Sequence, residues 1–262
     1  MSVGTEREDR PHILRELGHT VRRVGAELHS AATVTPQMHV PGTSRLRTSI
    51  LATWADTLAG LLAADALAPR VPVTIELDVH LYGPAPASGQ VLGVARTIKA
   101  GRSIFVAGVE FGSERGTPIA VAAGSFMCAP DPAVRMPAKL SIDTPPSREL
   151  LSVPLAERAG CERREPGVAA LPRSDDGLNA SNTVNGGLIA LVIEEALLSL
   201  APGDTLSSLA LRYLQPVRIG PAVATATLRD GLGQAELHDS GNGGRLSVTA
   251  TARTFGRPNA AS

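Results

Sequence analysis

The chain has 262 residues, 43 % of them hydrophobic, but only one Trp, two Tyr and four Phe. Such a composition builds an aliphatic core and excludes a disordered chain, and the length suits two ordinary domains better than one. Lys plus Arg and Asp plus Glu stand at 25 each, so no overall field draws the chain to nucleic acid or to an anionic membrane.

Residues 1–10 are charged and lack the apolar stretch of a signal peptide. No uninterrupted apolar run approaches the roughly 20 residues that span a bilayer. Cys128 and Cys161 offer neither metal-ligand spacing nor a disulfide framework, and the six His show no metal spacing. The expectation is a cytoplasmic protein without a metal or other cofactor.

In chain order, Ile13, Leu14, Leu17, Val21, Val24 and Leu28 recur at helical spacing, which predicts an amphipathic helix over 12–28. A second helix is predicted over 45–64, through Ile50, Leu51, Trp54, Ala55, Leu58 and Leu62. The period then changes. Val73, Ile75, Leu77, Val79 and Leu81 alternate with polar residues, the pattern of a half-buried strand that ends at Gly83-Pro84. Strand-like runs follow at 90–98, 103–111 and 118–127. From Ala129 to about Pro166 the chain is rich in Pro, Arg and Glu and loses its period, a linker composition.

The same order then recurs. Residues 186–200 are apolar on nearly every side, as in a buried helix, and strands are predicted at 206–214, 222–228, 234–238 and 245–254. Leu77, Val79, Leu81 and Pro84 match Leu209, Leu211, Tyr213 and Pro216 at a constant offset. A helix followed by four antiparallel strands, given twice, is an α+β protein of two units. They are placed at 10–130 and 166–256, with a linker over 131–165.

The segment Asn179-Ala-Ser-Asn-Thr-Val-Asn-Gly-Gly-Leu-Ile-Ala-Leu-Val-Ile-Glu194 resembles the signature of hotdog-fold thioesterases of the phenylacetate-pathway (PaaI-like) type. That signature is an Asn, a His-Gly-Gly at the start of the central helix, and a carboxylate on that helix. Asn179 falls on the Asn, Gly186-Gly187 on the glycines and Glu194 on the carboxylate, while Asn185 replaces the His. In the first half, Asp56 falls on the carboxylate and Thr74 on a frequent Ser or Thr, but Pro41 stands at the Asn and Arg47-Thr48-Ser49 at His-Gly-Gly. The resemblance implies a double hotdog, each unit an antiparallel sheet wrapped around a central helix.

In such families each site lies between two units. Carried over, the resemblance implies one complete site from Asn179 and Gly186 of the second half with Asp56 and Thr74 of the first. The other, with Glu194, Pro41, Thr48 and Leu206, lacks the Asn, the glycines and the hydroxyl. The expected activity is acyl-CoA thioester hydrolysis. Asp56 would act as base or nucleophile, Asn179 would position water or substrate, and Thr74 would bond near the carboxylate. The Gly186 N–H, at the positive end of a helix dipole, would hold the oxyanion. Glu194 reads as structural or vestigial, and Asn182 and Asn185 as helix-capping residues. Lys99 and Arg102 flank a turn suited to the CoA phosphates. Ala59, Leu62, Ile189 and Ala190 are compatible with a medium or long acyl chain or an aryl group. A non-catalytic acyl-CoA or lipid-binding double hotdog is the alternative. Either would associate further into a homo-oligomer.

Overall fold

Residues 12–28 do not form the helix that their spacing predicts. In the computed structural model, which describes residues 12–256 except 132, 134, 137–141 and 148, Ile13–Leu17 makes a short 3-10 helix closed by Gly18 at φ 63°. Strands β1 (Thr20–Val24) and β2 (Glu27–Val34) then pair as a hairpin, with Gly25 at φ 61° in the turn. The two glycines are the breaks that override the helical spacing, because both sit where the chain must turn left-handed. The inward face of β2 is Leu28, Ser30, Ala32 and Val34, too weakly apolar to announce a strand.

The remaining elements follow the expected order. Helix α1 (Thr48–Leu67) precedes β3 (Pro72–Leu81), β4 (Gly89–Ala100), β5 (Ile104–Ser113) and β6 (Pro118–Cys128). A single helical turn, α2 (Leu155–Arg158), leads to a hairpin of β7 (Glu162–Glu165) and β8 (Val168–Leu171) that straddles position 166. Helix α3 (Gly186–Ser199) and strands β9 (Leu206–Tyr213), β10 (Ala222–Arg229), β11 (Leu232–Asp239) and β12 (Arg245–Thr254) complete the chain. Both halves therefore read hairpin, helix, four strands.

All twelve strands form one sheet in the order β1-β2-β4-β5-β6-β3-β9-β12-β11-β10-β8-β7. The order is the same from either edge, and β3 and β9 join the halves as an antiparallel pair, with Leu77 opposite Leu211 and Val79 opposite Leu209. Arg212 reinforces this seam, its Nη1 2.6 Å from Asp78 Oδ1.

The first half of the sheet packs on α1 and the second on α3, and the helices pack on each other. This explains why α3 is apolar all round: Leu188, Ile189, Ala190, Leu191, Val192 and Ile193 are all buried. By length and composition α1 would cross a bilayer, yet Ile50, Leu51, Trp54, Leu58 and Leu62 are buried inside the protein, as in a core helix. Ala59, Leu62, Ile189 and Ala190 belong to the same core.

The two helices touch near the start of α3. A Cβ on Gly187 would overlap Thr53 Oγ1 and lie 2.7 Å from Thr53 Cγ2. Gly187→Ala must push the helices apart, and the expected loss is about 1–3 kcal/mol of unfolding free energy in a urea titration.

Candidate active site

Strict alternation along β3 places Thr74 on the face opposite Leu77 and Val79. The structure turns it the other way. In the ladder with β6, Thr74 pairs with Phe126 and Glu76 with Ser125, so Ile75 is left unpaired in a β-bulge. A bulge inserts one residue and reverses the facing of what precedes it. Thr74 therefore faces α1, where its Oγ1 donates to Asp56 Oδ1 at 2.8 Å. The second half has a register shift at the corresponding place: Ser208 pairs with Arg253 and Leu206 with Thr254, skipping Ser207. The residue turned inward there is the buried Leu206, which carries no hydroxyl.

Asp56 faces the N-terminus of α3. Asn185 caps that helix, its Oδ1 accepting the Gly187 N–H at 2.8 Å. Ordinary main-chain bonds run from the Leu188 and Ile189 N–H to Asn185 O. Gly186 is the first helical residue, and among the described residues its N–H meets no acceptor. A Cβ at Gly186 would sit 3.2 Å from Asp56 Oδ2 and 3.3 Å from the Tyr213 hydroxyl. Glycine thus leaves open the space between the carboxylate and the helix end. Tyr213 Oη donates to Gly186 O at 3.2 Å, a task that its place equivalent to Leu81 in the repeat does not announce.

Burial pushes the Asp56 carboxyl up to about 6, and the Thr74 hydrogen bond offsets only part of that rise. Burial, together with the Asp56 charge, holds the Tyr213 phenol well above its usual range, so it remains a donor.

The other expected site residues stand apart from this cluster. Asn179 shapes the loop before α3: its Oδ1 accepts the Ser181 N–H at 2.9 Å and the Thr183 N–H at 3.2 Å. No hydrogen bond links its side chain to Asp56, Thr74 or Gly186. Of the two expected capping residues only Asn185 caps; Asn182 instead accepts from Arg173 Nη2. Lys99 and Arg102 are exposed on the β4–β5 hairpin. The register runs Thr74, Phe126, Phe105, Ala100 across β3, β6, β5 and β4. That hairpin is therefore at the same end of the sheet as Thr74, three strand spacings or about 14 Å away. Among the described residues no group of three His, Cys, Asp or Glu could hold a metal ion.

At the pseudo-equivalent position the arrangement is closed. Glu194 is eight residues into α3 (194 minus 186), as Asp56 is into α1 (56 minus 48). Glu194 is fully buried and faces the α1 N-terminus. Its Oε1 accepts the Thr48 N–H at 2.9 Å and the Ser49 N–H at 3.2 Å, and its Oε2 accepts from Ser49 Oγ at 2.6 Å and Arg47 Nη1 at 3.2 Å. Arg47, at the place of Asn185, also lies 2.5 Å from Glu195 Oε1, and Arg163 Nε bonds Glu195 Oε2 at 2.5 Å. Two carboxylates and two guanidinium groups balance. Glu194 thus sits in a closed shell of four donors.

Residues 49–120, from the first turn of α1 into β6, match the Thioesterase superfamily model. No curated protein matches the sequence. Solved structures resemble it over nearly its whole length. An acyl-ACP thioesterase from Bacteroides thetaiotaomicron is 14 % identical over 87 % of this chain and 98 % of its own, with a TM-score of 0.62. A 12:0-ACP thioesterase from Umbellularia californica is 11 % identical over 90 % and 100 %, with a TM-score of 0.61. A conserved protein with the hot dog fold from Alicyclobacillus acidocaldarius is 16 % identical over 95 % and 100 %, also at 0.61. This chain has the hotdog fold of thioesterases.

In this hotdog structure the two helix ends make separable predictions. Arg47→Leu leaves Glu194 and Glu195 buried without their shared cation, and unfolding should become easier by about 3–5 kcal/mol in a denaturant titration. Tyr213→Phe unties Gly186 O and removes a donor beside Asp56. Turnover of a thioester substrate should fall roughly tenfold, with the melting temperature changing by only a few degrees.

Proposed function

We propose that the chain hydrolyses acyl thioesters at one site, built from Asp56 and Thr74 of the first half and Gly186 of the second. On this reading the chain is two hotdog units in tandem, and its second site has become a structural ion cluster. One observation carries the proposal. Glu194 reaches the first N–H groups of α1 and consumes them, whereas Asp56, one methylene shorter, leaves the Gly186 N–H without an acceptor.

That free N–H points from a helix N-terminus into a partly buried site, where a developing oxyanion has much to gain and a donor is worth roughly 3–4 kcal/mol. Asp56 takes a proton from a water molecule, and the resulting hydroxide attacks the thioester carbon. The carbonyl oxygen carries the negative charge against Gly186. When the C–S bond breaks, the thiolate receives the proton from Asp56, leaving a carboxylic acid and a thiol. Thr74 holds Oδ1 of Asp56, so that Oδ2, the oxygen beside Gly186, is the one presented to water. A carboxyl near 6 suits both halves of this proton transfer at neutral pH.

An acyl-CoA substrate is favoured by the basic Lys99 and Arg102 at the same end of the sheet as Thr74. Two of the similar structures are named as acyl-ACP thioesterases, so both carriers belong in the assay. Thiol release from acyl-CoA and acyl-ACP panels should be abolished in Asp56→Asn and retained in Glu194→Gln protein that folds. Wild-type kcat/KM should rise with pH through about 6 and fall about tenfold per unit below it. Tight binding of acyl-CoA without turnover would instead identify the non-catalytic binding protein.

The same group affects stability in the opposite sense. Folding raises the Asp56 pKa from 3.8 to about 6, so the folded chain holds this proton more tightly than the unfolded one. That stabilisation is complete below pH 4 and is lost as the pH rises through 6. Asp56→Asn should therefore be more stable than wild type at pH 8, by up to about 3 kcal/mol, and nearly equal to it at pH 3.5.

A further inference from the structure

Equal numbers of acidic and basic residues leave the chain without net charge, but the charges divide along the strand axis. The register puts the connections α1–β3 (68–71), β4–β5 (101–103), β9–β10 (214–221) and β11–β12 (240–244) at the end of the sheet that holds Thr74. With the strand ends that adjoin them, they carry the exposed cations Arg70, Lys99, Arg102, Arg218 and Arg245. The connections at the opposite end carry Glu114, Asp204 and Asp230 against Arg115 and Arg229. Of the acids near the basic end, Asp65 pairs with Arg23 at 2.9 Å and Asp239 is fully buried. Asp131, past the end of β6, and Glu162, on the edge strand β7, are exposed.

Apolar side chains stand out among these cations. Ile219 is 57 % and Leu214 50 % exposed, both on the β9–β10 connection. Ile98 is 66 % and Ile104 44 % exposed, on either side of the turn that Lys99 and Arg102 flank. Both segments are held in place. The pairing of β4 with β5 shifts between Thr97 and Lys99, so Ile98 is the bulged residue, turned out over Gly108. In the other half, the buried Asp239 carboxylate accepts three consecutive N–H groups, from Arg218 at 2.8 Å, Ile219 at 3.2 Å and Gly220 at 2.7 Å. That fixes the backbone while the Arg218 and Ile219 residues stay exposed. An isoleucine held out in water adds little to folding and is stabilised only when an apolar phase covers it.

We propose that this end of the sheet docks on a bilayer containing anionic phospholipid, with Ile98, Ile104, Leu214 and Ile219 entering the headgroup boundary. Single apolar side chains interleaved with Lys and Arg have the chemistry of an interfacial anchor, because hydrocarbon covers the first and the negative surface attracts the second. A soluble anion accounts for the cations but leaves the isoleucines in water. The Val184 N–H donates to Val217 O at 3.0 Å, so the β9–β10 loop is tied to the start of α3, and docking brings the Asp56–Gly186 contact towards the bilayer. Lys99 and Arg102 are shared with the acyl-CoA reading; the other residues are not, and docking does not depend on turnover.

Flotation with vesicles of phosphatidylcholine, alone or mixed in equal parts with phosphatidylglycerol, tests the proposal. The wild type should float with the mixed vesicles, stay behind with phosphatidylcholine alone, and be released by high salt. Ile98→Ser and Ile219→Ser should each lower the partition coefficient about tenfold, and Arg218→Ser about fivefold, with circular dichroism and melting temperature unchanged. Tyr82→Ser, at the opposite end and 67 % exposed, should bind as the wild type does. A wild type that ignores the mixed vesicles overturns the proposal. Binding that both isoleucine variants leave intact also overturns it, and marks the cations as a site for soluble anions alone. Binding lost in Tyr82→Ser places docking at the wrong end. A wild-type dimer that the isoleucine variants dissociate and that vesicles leave intact makes this surface a contact between copies, and the proposal fails.

Discussion

The arrangement that the rest of the structure serves is two helices, each aiming a carboxylate at the N-terminus of the other. A helix start carries unpaired N–H groups and the positive end of the helix dipole, so a carboxylate there is stabilised wherever it can reach. Reach is a matter of one methylene. Glu194 spans the distance to Thr48 and Ser49 and bonds both N–H groups, while Asp56 stops short of Gly186. The first contact completes a stable core; the second leaves a desolvated base facing an unused donor. The same packing thus produces a saturated joint on one side and, on the other, the open contact at which hydrolysis is proposed.

Holding that second contact open requires support from both halves. Gly187 lets α3 approach Thr53, Gly186 keeps a side chain out of the space before Asp56, and Tyr213 ties the Gly186 carbonyl. The β3–β9 seam sets the spacing, because Thr74 lies on β3, Tyr213 lies on β9, and the strands are hydrogen-bonded to each other. Neither half alone contains Asp56 and Gly186 together. On the opposite side Arg47 and Arg163 neutralise Glu194 and Glu195, and this closed ion cluster anchors the start of α1. A buried ion pair is weak evidence of net stabilisation in itself. Its contribution here is geometric: it holds both helices at the distance on which the open contact depends.

Much of this was legible in the sequence where one physical signal dominated. The period change after α1 and the repeated Leu77, Val79, Leu81 pattern located the central strands, because a half-buried strand must alternate. The N-terminal hairpin was hidden, since Ser30 and Ala32 blur the alternation of β2 while Ile13, Leu17 and Val21 fall by chance at helical spacing. In the candidate site, Gly186 and Asp56 stood out by resemblance, but the facing of Thr74 did not. A bulge at Ile75 changes which side every earlier residue of the strand presents, and nothing in the local composition announces it. Tyr213 was passed over because its hydroxyl finds its partner only when β9 comes under the end of α3. Asn179 has a second use that its place in the motif did not announce, its Oδ1 being taken up by the turn it builds.

The two halves also divide the conflict between stability and chemistry. A buried carboxylate with a single hydroxyl partner raises the free energy of the folded chain at neutral pH, and a fully bonded one does not. Were both sites open, both helix junctions would carry that cost, and the α1–α3 contact would lack a fixed point. With Glu194 saturated by four donors, the fold tolerates Asp56 with one. The Arg47 guanidinium and the Ser49 hydroxyl add side-chain donors to the Thr48 and Ser49 main-chain N–H groups that Glu194 accepts, so the two side chains act together as a clamp that fixes this end of the α1–α3 contact.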